Sequence, residues 1–314
     1  MINYLKQKFV SENLDFKEIL FVPIFATILA LFIGCIFLLA TGESFDNIFV
    51  AYLSLFIGSL GSFNALSETF TAATPLVFAA LGIALAFRAG LFNIGAEGQM
   101  IIGGMATVII GFSIDFLPIW IHLPLALSMG ALFGAMYASI AGWLKASTGA
   151  HEVISTIMLN LIAIRLLDYM LRSPAIQKEG RNDPISKSVL DTSELPQLLA
   201  FIDPQLRLHA GFLFMLAAVI FVYWLLFHTT IGYEFRSTGA NPNAAKYAGI
   251  KASLTIVLVM GIAGALAGLA GANQITGVLG RASPGFSASI GFDAIAVALL
   301  GRSHPIGVLF AGLL

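Results

Sequence analysis

The chain has 314 residues, of which 58% are hydrophobic and 11% are charged, and its formal net charge is −1. A soluble protein of this length cannot bury so much apolar surface, and the small net charge gives no electrostatic reason to bind nucleic acid. The long apolar runs do not alternate with polar residues, which excludes a transmembrane β-barrel. We therefore predict an all-α fold, a polytopic transmembrane helical bundle in a lipid bilayer.

The apolar runs predict nine membrane spans. They lie at residues 20–40, 71–87, 98–113, 123–144, 153–172, 210–228, 253–272, 287–300 and from 305 onward. Residues 48–66 are also apolar but rich in Gly and Ser, which allows either a full span or a short interfacial or re-entrant helix. The run after residue 305 holds only about ten residues, fewer than a span needs, so we expect the C-terminus to be truncated.

Lys and Arg concentrate in the cytoplasmic loops of membrane proteins, so their positions predict the orientation of the chain. The N-terminus carries Lys6, Lys8 and Lys17 and is placed in the cytoplasm. The inner loops then hold a further set of basic residues, namely Arg88, Lys145, Arg236, Lys246, Lys251 and Arg302. The short outer segments are mainly acidic.

This orientation divides the chain into two parts, and the second part contains two segments outside the membrane. Residues 1–19 form a cytoplasmic N-terminal segment, and residues 20–314 form the transmembrane domain. Within that domain, the polar segment 173–209 is an external loop, and the segment 229–252 faces the cytoplasm.

The stretch "FRAGLFNIGAEGQM", residues 87–100, interrupts two apolar runs with glycines and polar side chains. Glycine lets the backbone leave helical geometry, and polar groups near apolar spans are costly unless they are satisfied. Asn93, Gly95, Glu97 and Gln99 are therefore candidates for a broken helix that lines a solute pathway or gate. A tight turn between packed spans, with Glu97 capping the next helix, explains the same residues.

Three further polar residues lie in or beside apolar runs and are candidates for the pathway. Asn160 lies within the run 153–172. Asn273 follows "MGIAGALAGLAGAN", where small residues at spacings of three and four predict close helix packing. Asp293 either caps the start of its helix or points into the pathway.

The segment "GANPNAAKYAGIKAS", residues 239–253, is polar and predicts a short helix outside the membrane. Asn241 suits the N-cap, Pro242 the first helical position, and Gly249 a left-handed C-terminal cap. The small side chains of Ala244 and Ala245 favour a helix that docks into another protein. An ordinary cytoplasmic loop is the alternative.

Signs of catalysis are absent from the sequence. It contains no phosphate-binding loop, no H-E-x-x-H pair and no G-x-S-x-G motif, and Cys35 is its only cysteine. We therefore predict no catalytic, cofactor or metal site in this chain. An energy source would lie in a docked partner.

Three motifs, "GLFNIGAEGQ", "GANPNAAKYAGI" and "GFDAIAVALLGRSHPIGV", together resemble the permeases of bacterial ABC importers. The branch is the one shared by branched-chain amino acid and simple-sugar systems, and the first motif is most similar to nucleoside permeases. The resemblance implies a multi-pass subunit of the bacterial cell (inner) membrane that moves solute by alternating access and is not an enzyme. It also implies partners: a second permease, related or identical, a cytoplasmic ABC ATPase and an extracytoplasmic solute-binding lipoprotein.

The resemblance assigns a role to the segment 239–250, which is similar to the coupling helix that the ATPase grips. The residues concerned are Gly239, Asn241, Pro242, Ala244, Ala245 and Gly249. Two alternatives stay open. One is a ribose- or galactose-like sugar permease, and the other is an ion-coupled transporter using Glu97, Asp168 or Asp293.

Overall fold

The computed structural model describes residues 16–314, so most of the predicted N-terminal segment 1–19 lies outside the described residues. The described part holds twelve α-helices, which are α1 (Phe16–Ala40), α2 (Phe45–Leu60), α3 (Phe63–Arg88), α4 (Ala96–Ser113), α5 (Ile119–Thr148), α6 (Glu152–Leu171), α7 (Gly211–His228), α8 (Thr230–Ala240), α9 (Pro242–Tyr247), α10 (Ala252–Asn273), α11 (Ile290–Leu300) and α12 (Pro305–Leu313). A π-helix, Gln274–Leu279, extends α10. The prediction of an all-α transmembrane bundle is confirmed.

Seven of the described helices are long and apolar enough to cross a membrane: α1, α3, α4, α5, α6, α7 and α10. The prediction of nine spans was wrong at its C-terminal end, because α11 and α12 are short and bent by 119° relative to each other. Arg302 and Ser303 reverse the chain there with φ of 54° and 52°. The pair therefore counts as one broken span at most, which gives seven or eight spans within residues 16–314.

The apolar segment 48–66 is divided between two helices. Helix α2 ends at Leu60, and Ser62 caps α3 by accepting a hydrogen bond from the backbone nitrogen of Ala65. Helix α3 thus begins at Phe63, earlier than the predicted start at residue 71. Hydropathy missed this start because the first two turns of α3 carry the polar residues Asn64, Ser67 and Glu68.

Glycines bring α4, α5 and α10 into backbone contact at the centre of the bundle. A Cβ on Gly264 or Gly268 of α10 would overlap the carbonyl oxygen of Gly134 or Gly130 in α5, respectively. A Cβ on Gly103 of α4 would overlap the backbone of Gly268 in the same way. The close packing predicted from the small residues of 260–273 is therefore confirmed.

Helix α3 is the most deeply buried of the long helices. Every residue from Val77 to Ala86 is at most a few per cent exposed. Helix α1, by contrast, exposes large apolar side chains such as Phe32 and Phe37 along its length. Apolar side chains on the outside of a helical bundle are the pattern that lipid requires. The chain is a multi-pass membrane protein.

Candidate functional site

The break between α3 and α4 runs from the start of α6 into the bundle, since the backbone nitrogen of Phe92 donates to the carboxylate of Glu152. The backbone nitrogen of Gly98 donates to Oδ1 of Asn160 at 2.8 Å, and Nδ2 of Asn160 donates to the carbonyl oxygen of Ile94 at 2.8 Å. Asn160 lies eight residues into α6, and at 1.5 Å per residue this is a depth of about 12 Å from Glu152. The N-terminus of α4 is thus packed against α6 within the bundle.

Asn93 and Gln99 close this break by pairing their side-chain amides. Nδ2 of Asn93 donates to Oε1 of Gln99 at 3.1 Å, and Nε2 of Gln99 donates to Oδ1 of Asn93 at 2.9 Å. Oδ1 of Asn93 also accepts from the backbone nitrogen of Gly95 at 3.0 Å. Both side chains are buried, and a Cβ on Gly95 would lie 2.9 Å from Nε2 of Gln99. These contacts are those of a tight, internally satisfied turn.

Glu97 connects the start of α4 to the start of α11. Its partner Gly291 in α11 lies 194 residues later in the chain. Its carboxylate accepts a hydrogen bond from the hydroxyl of Ser287 and another, at 2.8 Å, from the backbone nitrogen of Gly291. Glu97 therefore does cap a helix, but the helix is α11 and not α4, as the turn interpretation had it. A carboxylate suits this position because the first turn of a helix carries unpaired N–H groups and a partial positive charge.

The N-termini of α4 and α11 consequently meet at Glu97 inside the bundle. A Cβ on Gly291 would overlap the backbone of Glu97, so only glycine allows this approach. Ala288 and Ser289 precede α11 with φ of 47° and 62°, a region that side-chain-bearing residues seldom adopt. Helix N-termini that point at one another inside a helical bundle are a recurrent element of transport sites.

Asp293 is the one exposed residue among the seven pathway candidates, all of which lie in the described part of the chain. It stands on the outward face of α11 beside Phe292, which is 43% exposed. Asn93, Gly95, Glu97, Gln99, Asn160 and Asn273 are buried. The structure therefore brings five of them together as a buried clamp that holds α4, α6 and α11. The residues of the clamp are Asn93, Gly95, Glu97, Gln99 and Asn160.

Asn273 lies away from this clamp, at the end of α10. Its neighbour His209 was not predicted from the sequence to belong to a site. Oδ1 of Asn273 and both ring nitrogens of His209 are buried and have no hydrogen-bond partner among the described residues. A Cβ on Gly277 would lie 2.5 Å from Nε2 of His209. Burial, and secondarily the charge of Arg207, lowers the pKa of His209 to about 4. No sequence motif surrounds His209, so only the fold reveals its burial.

The predicted cytoplasmic helix is present as α9, with the expected caps. Oδ1 of Asn241 accepts from the backbone nitrogens of Asn243 and Ala244 at 3.0 and 3.1 Å. At the other end, Gly249 has a φ of +83°, its nitrogen donates to the carbonyl of Lys246, and the Ile250 nitrogen donates to that of Ala245. This pair of hydrogen bonds is the Schellman arrangement, which ends a helix with glycine just beyond its C-cap.

The exposed surface of α9 differs from the one expected. Ala245 is only 3% exposed, because it packs against the chain itself, and it therefore cannot offer its side chain to a partner. Tyr247 is 96% exposed and is the most prominent side chain of the helix. Pro242, Ala244 and Gly249 are exposed as well.

Gly239 joins the α8–α9 segment to the end of α3. A Cβ there would overlap the carbonyl oxygen of Arg88. The Nε of Arg88 in turn donates to the carbonyl oxygen of Ser303 at 2.9 Å, in the turn between α11 and α12. A continuous set of packed contacts thus runs from the segment that ends in α9 to the turn after α11.

Residues 65–314 match the family model described as the branched-chain amino acid transport system permease component. The chain belongs to this permease family. It is 38% identical to the guanosine ABC transporter permease protein NupP of Bacillus subtilis, over 94% of this chain and 83% of that protein. It is also 36% identical to the nucleoside ABC transporter permease protein NupB of Lactococcus lactis, over 93% of this chain and 81% of that protein.

A sugar transporter is nearly as similar to this permease. The glucose ABC transporter permease protein TsgB13 of Haloferax volcanii is 35% identical, over 93% of this chain and 77% of that protein. No solved structure matches the chain. The family resemblance deduced from the three sequence motifs is confirmed.

Proposed function

We propose that this permease is the membrane subunit of an ATP-driven ABC importer for nucleosides, and that it moves solute by alternating access. The observation that carries the proposal is its similarity, over more than nine-tenths of its length, to permeases named for guanosine and nucleosides. A chain of this kind needs an ATPase, since its own sequence contains no phosphate-binding loop. The N-terminus would lie in the cytoplasm of a bacterial cell.

The ATPase would dock on α9, with Tyr247 as its main contact. Large aromatic side chains commonly supply most of the binding energy of an interface. Movement of α9 would pass through the contact of Gly239 with the end of α3, and through Arg88 to the turn at Ser303. That turn joins α11 to α12, so the position of α11 would depend on the state of the ATPase.

A second permease would complete the solute pathway against the outward face of α11. This face presents Phe292 and Asp293, an aromatic ring for stacking and a carboxylate for hydrogen bonds from sugar hydroxyls. A solute-binding lipoprotein would deliver the nucleoside on the opposite side from α9, where the loop 173–209 lies. The buried clamp around Glu97 would fix the height at which α11 begins.

Uptake into proteoliposomes tests this proposal. The permease is reconstituted with its ATPase, partner permease and binding protein, and entry of radiolabelled guanosine is measured with and without ATP. We expect entry to require ATP and to be reduced by unlabelled nucleosides but not by glucose. Competition by glucose alone would instead favour a sugar importer, for which TsgB13 is the precedent. Entry driven by an ion gradient without ATP would refute the importer mechanism.

A further inference from the structure

A cavity on the side of the bundle, which we call the lateral groove, runs between α7 and α10. Its volume is about 400 Å³, and almost all of its lining is apolar. Side chains that line it include Phe78, Leu127, Phe214, Phe221, Ile262 and Leu269. Phe214 and Phe221 are each about half exposed, so the groove opens onto the lipid-facing surface of the bundle.

The lateral groove has the depth of one leaflet. It follows α10 from Asn273, at the end of that helix, to Ile262, which is eleven residues earlier. At 1.5 Å per residue this is about 16 Å, or half of a hydrocarbon core of about 30 Å. The groove therefore suits a single acyl chain that enters from the membrane face on the side of the loop 173–209.

A second cavity, which we call the outer pocket, adjoins the lateral groove at that face. It has a volume of about 470 Å³ and is mainly polar. Leu195 lines both cavities, and Asn273 of the groove is one helical turn from Thr276 and Gly277 of the pocket. A ligand that occupies both would thus be polar at one end and apolar at the other.

The outer pocket carries charges of both signs. Asp191 and Glu194 line it without an ion pair among the described residues, and burial together with the charge of Asp191 raises the pKa of Glu194. Arg207 also lines the pocket, 3.4 Å from the carboxylate of Glu68. The pocket therefore offers more negative than positive charge, together with one guanidinium suited to a phosphate.

Asn273 marks the junction of the two cavities. It is 2% exposed and lines the groove, and its Oδ1 has no hydrogen-bond partner in the described part of the chain. A buried polar atom of this kind costs free energy unless a ligand or water satisfies it. A polar group at the height of a lipid glycerol would lie beside it.

We propose that the outer pocket and the lateral groove together bind one phospholipid of the phosphatidylethanolamine type. Its primary ammonium would donate hydrogen bonds to Asp191 and Glu194, its phosphate would meet Arg207, and one acyl chain would fill the groove. Phosphatidylglycerol has no cation for the two carboxylates and would be repelled. A choline headgroup cannot donate hydrogen bonds to them.

Native mass spectrometry of the full-length permease in detergent tests the headgroup preference. Delipidated protein is titrated with dioleoyl phosphatidylethanolamine or dioleoyl phosphatidylglycerol, and the fraction with one bound lipid is measured. We expect at least about a tenfold preference for phosphatidylethanolamine, because charge-assisted hydrogen bonds distinguish the two headgroups. Equal binding of both lipids by the wild-type protein would overturn the proposal, whatever the variants do.

Variants separate the chain-binding part of the site from the headgroup-binding part. Ala217→Trp places a ring in the lateral groove from an exposed position and should lower binding of both lipids about tenfold. The double variant Asp191→Asn, Glu194→Gln should retain binding but lose the preference for phosphatidylethanolamine. Glu179→Gln, an exposed carboxylate of the same loop that does not line the pocket, should retain the preference.

A second apolar groove supplies the matched control. It has a volume of about 300 Å³, lies between α4, α5 and α6, and shares no lining residue with the outer pocket. Leu166→Trp in this groove should leave phosphatidylethanolamine binding unchanged. An equal loss in Leu166→Trp and Ala217→Trp would show nonspecific lipid contact. Displacement of the lipid by guanosine would assign the two cavities to solute instead.

Discussion

Glu97 satisfies the first N–H groups of α11 from another helix, and we expect the position of α11 to depend on it. In Glu97→Ala the backbone nitrogen of Gly291 and the hydroxyl of Ser287 lose their shared acceptor. Loss of a helix cap costs about 1–2 kcal/mol, and unpaired buried donors raise that cost. The variant should melt at a lower temperature in detergent and should lose solute uptake per inserted molecule.

Ser289→Asn is the control for this variant. Ser289 lies at the N-cap position of α11 but makes no side-chain cap hydrogen bond, and asparagine tolerates its positive φ. Uptake should stay close to wild type. If Glu97→Ala transports normally while its melting temperature falls, the carboxylate is a structural cap without a role in transport.

We expect the burial of His209 to make the stability of the permease depend on pH. Its folded-state pKa, about 4, lies below the ordinary value of 6.5, so the folded state binds the proton less readily than the unfolded state. The stabilisation from a neutral His209 is present above about pH 6.5 and is lost as the pH falls towards 4. The melting temperature of the wild type should therefore decrease between pH 7.5 and 5.

His209→Gln identifies how much of that decrease belongs to this residue. Glutamine does not titrate, so the variant should show a smaller decrease over the same range, even if its melting temperature is lower throughout. Parallel curves for the two proteins would mean that other groups set the pH dependence.

At the scale of single helices, a substitution in α9 should change binding of the ATPase without changing the stability of the permease. Tyr247→Ala removes an almost fully exposed ring and should leave the melting temperature unchanged while weakening binding of the ATPase. A lost interface anchor costs about 1–4 kcal/mol, which is roughly a 5- to 1000-fold decrease in affinity. Co-purification with the ATPase and solute-stimulated ATP hydrolysis measure the effect.

Two other substitutions serve as comparisons for Tyr247→Ala. Ala245→Glu would place a charge in a buried position and should destabilise the permease itself, so it cannot serve as a clean docking variant. Tyr169 is also well exposed but lies near the C-terminus of α6, away from α9. Tyr169→Ala should change neither the melting temperature nor the binding of the ATPase. If Tyr247→Ala co-purifies normally with the ATPase, α9 is not the main ATPase contact.

Local signals explain which helices the sequence predicted well. The limits of α9 follow from Asn241, Pro242 and Gly249, whose conformational preferences act within a few residues. The break between α11 and α12 was predicted at the right place, but neither Arg302 nor Ser303 favours a positive φ. The bend of 119° was therefore not predictable, and the two short helices were counted as two spans. The role of Glu97 was not predictable either, since its partners at Ser287 and Gly291 are brought to it by tertiary packing alone.

For the whole molecule, the orientation in the membrane is the property to establish first. In a Cys35→Ser background, a cysteine introduced at Glu179 should react with an impermeant thiol reagent in intact cells, whereas one at Asn243 should not. Both positions are exposed, so access to the reagent depends only on the side of the membrane. Ser186 is fully buried and would be uninformative. The reverse labelling pattern would invert the topology.

The glycine contacts among α4, α5 and α10 have a mechanical consequence. Helices in backbone contact cannot slide past one another without steric overlap, so we expect these three to behave as a stator during transport. Helix α11 makes one such contact, between Gly291 and the backbone of Glu97 in α4, so its N-terminus belongs to the stator. Helix α12 lies beyond the turn at Arg302 and Ser303, and its Gly312 meets side chains rather than backbone. Displacement during a transport cycle should therefore be concentrated in α12 and in the end of α11 next to this turn, which would act as the moving arm.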